Sequence, residues 1–179
     1  MKKILLLIML ATNIATRAQT PTYTTTKDPD DGTLIFNGPV AFKDLDNEKT
    51  FTWLKEGREG YRPNEEQITY LCQHLSEYTM VVFLGTWCED SHELVPKLEK
   101  VLQSINYPAD KLTMYGTDRA KKTKGGIQKN YHINLVPTII LFSNGKEAGR
   151  ITESVKKDIE TDLVSIIQKD QKHKQSASH

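Results

Sequence analysis

The chain has 179 residues, enough for one well-buried domain plus an extension, with a net charge of +1 and 26% charged residues. A balance so near neutrality gives no electrostatic footprint for nucleic acid or an anionic membrane surface. Two cysteines, Cys72 and Cys88, are too few for a disulfide framework.

Lys2 and Lys3, an apolar run from Ile4 to Ala11 and a small-residue exit at Thr16-Arg17-Ala18 read as a secretory signal peptide over 1–18. The run is too short to span a bilayer, which needs ~20 apolar residues. Lys2, Lys3 and Arg17 are the charges in it, so the remainder carries −2. The expected product is exported, periplasmic or extracellular, and has no stable membrane insertion once cleaved.

Residues 19–61 form an N-terminal extension, partly disordered. Its first part, 19–33, is Thr-, Asp- and Pro-rich without apolar periodicity and reads as a mobile leader. Leu34-Ile35-Phe36 then predicts a short edge strand, with Asn37-Gly38-Pro39 as its turn. Phe51, Trp53 and Leu54 make a small apolar cluster of one or two helical turns, and 58–63 reads as loop. Asn64, with Gln67 three positions on, predicts a helix cap, and the helix should reach about Glu77. Ile68, Leu71, Cys72 and Leu75 fall at i, i+3, i+4 and i+7, placing Cys72 on the core face as a small hydrophobe. If this helix and the next strand run antiparallel, the two cysteines are offset by more than ~10 Å, beyond the ~7 Å Cα limit for a disulfide.

Val81 to Leu84 is a short apolar run expected of a buried strand. After Gly85 and Thr86 the period changes, and Leu94, Val95, Leu98, Val101 and Leu102 repeat at helical spacing. Cys88 sits at this strand-to-helix junction, beside the unpaired N–H groups of a first helical turn. A thiol so placed is a candidate nucleophile. Glu89 and Asp90 oppose a thiolate there, each costing about 0.5 kcal/mol at ~8 Å. The helix start supplies a comparable ~0.3–1 kcal/mol. His92 is expected to face solvent.

Lys111 to Tyr115 predicts a strand, Arg119 to Lys124 a basic solvated loop, and Ile127 to Tyr131 a short helix. Thr138 to Phe142 and Ala148 to Ile151 predict a hairpin across Ser143–Lys146. Val155, Ile159, Leu163 and Ile166 give a closing amphipathic helix, followed by a polar, frayed tail at 169–179. The order β, α, β, α, β, α, β, β, α implies an α/β fold, a central mixed sheet with helices on both faces, and Cys88 at a carboxyl end of that sheet.

Over 62–168 the sequence resembles thioredoxin. Trp87-Cys88 matches the opening of the family's Trp-Cys-x-x-Cys motif, Pro96 its active-helix proline, and Tyr131 to Gly145 its cis-proline strand and turn. The resemblance implies a thioredoxin fold, a cis peptide before Pro137, and a substrate groove formed by Trp87, Val136 and Pro137. Two departures stand out. The motif reads Cys88-Glu89-Asp90-Ser91, and Val82 replaces the buried acidic residue that would activate a second thiol. Ser91 cannot release a mixed disulfide, although its hydroxyl can donate to the Cys88 thiolate.

The leading expectation is monothiol exchange, with Cys88 and Ser91 as catalytic residues, protein thiols or disulfides as partners, possible help from small thiols, and no cofactor. A non-catalytic module binding protein segments is the alternative. A metal site built from Cys88, His92 and either Asp90 or His132 is a third reading, requiring three or four ligands from separate elements.

Overall fold

The computed structural model describes residues 23–177; the expected signal peptide lies outside them. Thr24–Lys27 (β1) and Leu34–Val40 (β2) open the chain, followed by Phe42–Asp46 (α1), Thr52–Gly60 (α2) and Glu65–His74 (α3). Thr79–Leu84 (β3), Glu89–Ser104 (α4) and Leu112–Gly116 (β4) form the central unit, and Thr138–Ser143 (β5), Lys146–Thr152 (β6) and Ile159–Ala177 (α5) complete it. The six strands lie in the order β1-β2-β4-β3-β5-β6. β3 and β4 are parallel and the remaining neighbours antiparallel. This is the mixed α/β sheet expected, with β3 at its buried centre.

The principal core joins Leu71 and Leu75 of the α3 region, Val82 and Leu84 of β3, the apolar stripe of α4, and Ile159, Leu163 and Ile167 of α5. Val82, where the resemblance implies a buried acidic residue in the family, is fully buried there. The other sheet face carries a smaller cluster of Val81, Phe83, Cys88, Ile133, Val136 and Ile140. Its cover is not the expected α-helix. Residues 117–137 cross it as a loop containing a single 3-10 segment, Ile127–Tyr131. Tyr131 contributes an aromatic ring against Phe83 and Phe142, so side-chain packing replaces a helical layer.

The extension holds more structure than its composition predicts. Residues 24–27, read as leader, pair with β2. Asn37-Gly38-Pro39 is not a turn but the middle of β2, whose residues 34–37 pair with β1 while 38–40 pair with β4. Proline is tolerated where a strand changes partners, because one ladder is enough to hold it there. Residues 58–60 belong to α2 rather than a loop. α2 lies against α4 at Gly57, where a β-carbon would stand 2.6 Å from Pro96 Cγ.

Cys72 is exposed, not on the core face, and both cysteines are free. α3 buries a narrow stripe: Leu71 and Leu75 have no exposed surface, Ile68 packs beside them, and position 72 falls outside it. Val155 precedes α5 instead of lying on it, and α5 continues through the residues expected to fray. Asn64 does cap α3, accepting from Glu66 and Gln67 N–H. Its own N–H is taken by buried Glu160 at 2.7 Å, which also accepts from Tyr61 Oη; α5 thus replaces the expected reciprocal bond from Gln67.

Candidate functional site

Cys88 is the N-cap of α4, with extended backbone (φ −100°, ψ 123°) and its carbonyl accepting the first helical bond from His92 N–H. Its own N–H donates to Gly85 O at 3.0 Å, closing a tight turn after β3. The thiol donates to Val136 O at 3.3 Å, and the Val136–Pro137 peptide is cis. Trp87, Cys88, Val136 and Pro137, far apart in sequence, therefore meet at one end of the sheet. Cys88 keeps only 8% of its surface exposed, a narrower access than an openly reachable sulfur.

Ser91 follows one turn into α4 and is fully buried. Its hydroxyl accepts from Gly85 N–H at 3.1 Å and ties the helix to the turn before Cys88. The thiol's partner is Val136, not Ser91, so the expected contact between Ser91 and Cys88 is not made in this arrangement. Glu89 and Asp90 are exposed in the first turn.

His92 corrects its expected solvent-facing position. Nε2 lies 2.8 Å from Thr86 O; because a carbonyl can only accept, that nitrogen carries the proton. The ring stacks on Trp53 of α2 with centroids 4.4 Å apart. A histidine so committed is poorly disposed to bind metal. Among the described residues no group of three or more His, Cys, Asp or Glu is arranged to hold a metal ion.

Sequence reasoning missed Thr86. Its hydroxyl donates to Leu34 O at 2.7 Å and accepts from Phe36 N–H at 3.1 Å, while its carbonyl receives His92. The residue two positions before the thiol is thus fixed by β2 and, through His92 and Trp53, by α2. A threonine in a β-to-α turn gives no sign of this, because its partners lie about fifty positions upstream. Gly116 shows the same closeness: a β-carbon there would stand 2.1 Å from Phe36 O.

Trp87 is held as firmly. Its Nε1–H donates to Thr117 O at 2.9 Å, and its ring covers Gly85, where a β-carbon would be 2.7 Å away. Arg119 and Lys121 place their cations 5.4 and 5.5 Å from the ring centroid. Arg119 also binds Asp28 and Asp31 from the turn between β1 and β2. The hydrogen bond from Arg119 holds the Asp28 carboxyl below its ordinary range. For Asp31, the Thr33 hydrogen bonds act first in the same direction, with Arg119 adding to them. The loop read as merely solvated is therefore part of the site's wall.

A family model described as Thioredoxin matches residues 64–169, more than half of the chain. Thioredoxin Y, chloroplastic, of Oryza sativa subsp. japonica is 35% identical over 71 residues, 40% of this chain and 39% of that protein. The chain thus spans about two fifths of the length of this curated relative. Among solved structures, a protein of unknown function from Pseudomonas aeruginosa has a TM-score of 0.50 at 13% identity, covering 74% of this chain and 84% of that one. That likeness concerns the fold alone. Mitochondrial thioredoxin 3 from Saccharomyces cerevisiae, in its oxidised form, has a TM-score of 0.36 at 21% identity, covering 58% of this chain and 87% of that one.

Proposed function

Because the chain belongs to the thioredoxin family, we propose that it carries out thiol–disulfide exchange of the oxidoreductase or isomerase type through one sulfur, Cys88. Family membership supports the reaction class. One observation carries the single-sulfur form: Cys88 caps α4 with its thiol on the carbonyl of the cis-proline segment, while a buried serine occupies the position three residues on. Cys88 thiolate attacks a partner disulfide, forms a mixed disulfide and expels the partner's other sulfur as thiolate. Ser91 forms no disulfide, so release falls to the partner's second thiol or to an external small thiol. The role of Ser91 is to hold the Gly85 turn.

The leader over 1–18 motivates the accompanying proposal of export. Cell fractionation should recover the protein outside the cytoplasm with an N-terminus near Gln19; recovery in the cytoplasm with an intact Met1 start would overturn it. Burial of Cys88 supports a second reading, in which the groove holds a protein segment without covalent chemistry. With Cys72 replaced by serine, wild-type Cys88 should accumulate mixed disulfides with partner proteins, and Cys88→Ser should not. Equal recovery of the same partners by both under reducing conditions, without any covalent adduct, would favour binding alone.

A further inference from the structure

The 118–124 loop has a fixed backbone beside Trp87, the residue preceding the thiol. Asp118 closes it by accepting from Lys122 N–H at 2.8 Å with its side chain and from Lys121 N–H at 2.9 Å with its carbonyl. Asn37 of β2 grips it from outside, donating to Lys122 O at 3.2 Å and accepting from Lys124 N–H at 2.5 Å. Gln128 Oε1 receives both the N–H and the hydroxyl of Thr123. Lys121 is held at φ +59°, a left-handed conformation uncommon for a residue with a β-carbon.

That conformation accompanies an ammonium held over Trp87, the residue preceding the nucleophile. Lys122 and Lys124 are exposed on the same loop, and among the described residues Lys121, Lys122 and Lys124 make no ion pair. Arg119, by contrast, is balanced by Asp28 and Asp31. Asp118 in the loop and the second carboxylate of the Asp28 and Asp31 pair offset part of the lysine charge. The Trp87 side thus keeps a net positive charge through its lysines, while Glu89 and Asp90 make the helix side acidic. Among the described residues Leu135, next to Val136, is the large hydrophobic residue left exposed, at 39%.

We propose that the 118–124 loop is a cationic docking rim that selects acidic, extended protein segments for exchange at Cys88. This rests on the thiol-exchange reading above. Three lysines at separate loop positions, together with an apolar foothold at Leu135, suit an extended segment. A small thiol with one or two carboxylates carries fewer charges than the three lysines can pair with. The partner's acidic residues flank its reacting sulfur on the side passing Trp87, away from Glu89 and Asp90. Charges arranged this way act mainly on the rate of encounter and fade with salt.

The test uses the full chain carrying Cys72→Ser and synthetic peptides whose single cysteine is disulfide-linked to 2-nitro-5-thiobenzoate. Cys88 thiolate attacks the peptide sulfur, the new Cys88–peptide disulfide forms, and the coloured thiolate leaves with the electron pair of the broken bond. Peptides flanked by Asp and Glu should react about tenfold faster than Lys-flanked peptides at low salt, and the gap should close in high salt. Lys121→Glu/Lys122→Glu/Lys124→Glu should reverse the order; the equal charge change Lys146→Glu/Lys169→Glu/Lys172→Glu should preserve it. Equal rates for both peptides, or an order unmoved by the loop reversal, would overturn the rim while leaving exchange at Cys88 intact. The same charge preference for 3-mercaptopropionate over 2-mercaptoethanol mixed disulfides would overturn the assignment to a protein segment. Colour release no faster than from Cys72→Ser/Cys88→Ser would overturn the exchange reading itself, and the rim with it.

Discussion

Replacing Thr86 by valine keeps the shape of the side chain and removes its hydroxyl, isolating the contribution of the extension to the site. In the wild type that oxygen satisfies Phe36 N–H and Leu34 O at once. Phe36 is buried and Leu34 half-buried. The stranded N–H should cost about 1–3 kcal/mol, while the carbonyl, nearer water, should cost about 1 kcal/mol. A combined loss of about 2–4 kcal/mol is a large share of the ~5–15 kcal/mol that holds a domain together. With a urea dependence near ~2 kcal/mol per molar, the unfolding midpoint should fall by about 1–2 M. Thr86→Ser keeps both bonds and should recover most of it, at a cost of about 1 kcal/mol for the lost methyl. Because Thr86 lies two residues from Cys88, the valine variant should also change the native-state alkylation rate of Cys88 in a Cys72→Ser background. A valine midpoint within about 0.3 M of wild type, with unchanged alkylation, would refute the claim that β2 braces the thiol's turn.

Gly57→Ala should destabilise by about 1–3 kcal/mol in chemical denaturation despite its better helix propensity, because the new methyl meets the rigid Pro96 ring. Cys72→Ser should shift stability by no more than about 0.5 kcal/mol, and mass spectrometry should show Cys72 alkylated before Cys88 in the native chain. The Asp28 and Asp31 carboxyls, lowered in the fold by the hydrogen bonds described above, contribute stability that is fully present above the ordinary carboxylate value near ~3.9. It is lost as pH falls through their lower folded values. With Trp53 replaced by Phe, Trp87 fluorescence should therefore change as acid releases Arg119 in that window, and Arg119→Gln should remove the transition.

The fold was legible where local pattern and burial agree. The Val81–Leu84 run, the helical period from Leu94 to Leu102 and the hairpin around Asn144-Gly145 each state an element and its buried face. The extension was less legible, because β1 and the middle of β2 have polar or turn-forming residues that become strand only when neighbouring strands supply hydrogen bonds. Cys72 was misread for a related reason. Periodicity marks an apolar face but not its width, and α5 covers less of α3 than the four spaced residues suggest.

Cys88 at its junction follows from residue identity and order, and the resemblance to thioredoxin is what makes Ser91 and Val82 stand out as departures from the family's second thiol and buried acid. Covalent chemistry makes one consequence independent of packing, because a lone sulfur cannot close a disulfide within Cys88-Glu89-Asp90-Ser91. Tertiary structure alone decided what surrounds that sulfur. Val136 O accepts from its thiol, Thr86 is bound by a strand about fifty residues away, His92 turns inward onto Trp53, and Lys121 lies over Trp87. Each depends on backbone segments brought together from distant parts of the chain. Hydrogen bonds and ring contacts reach only a few ångströms, so spacing along a sequence does not encode them until the sheet has set the distances.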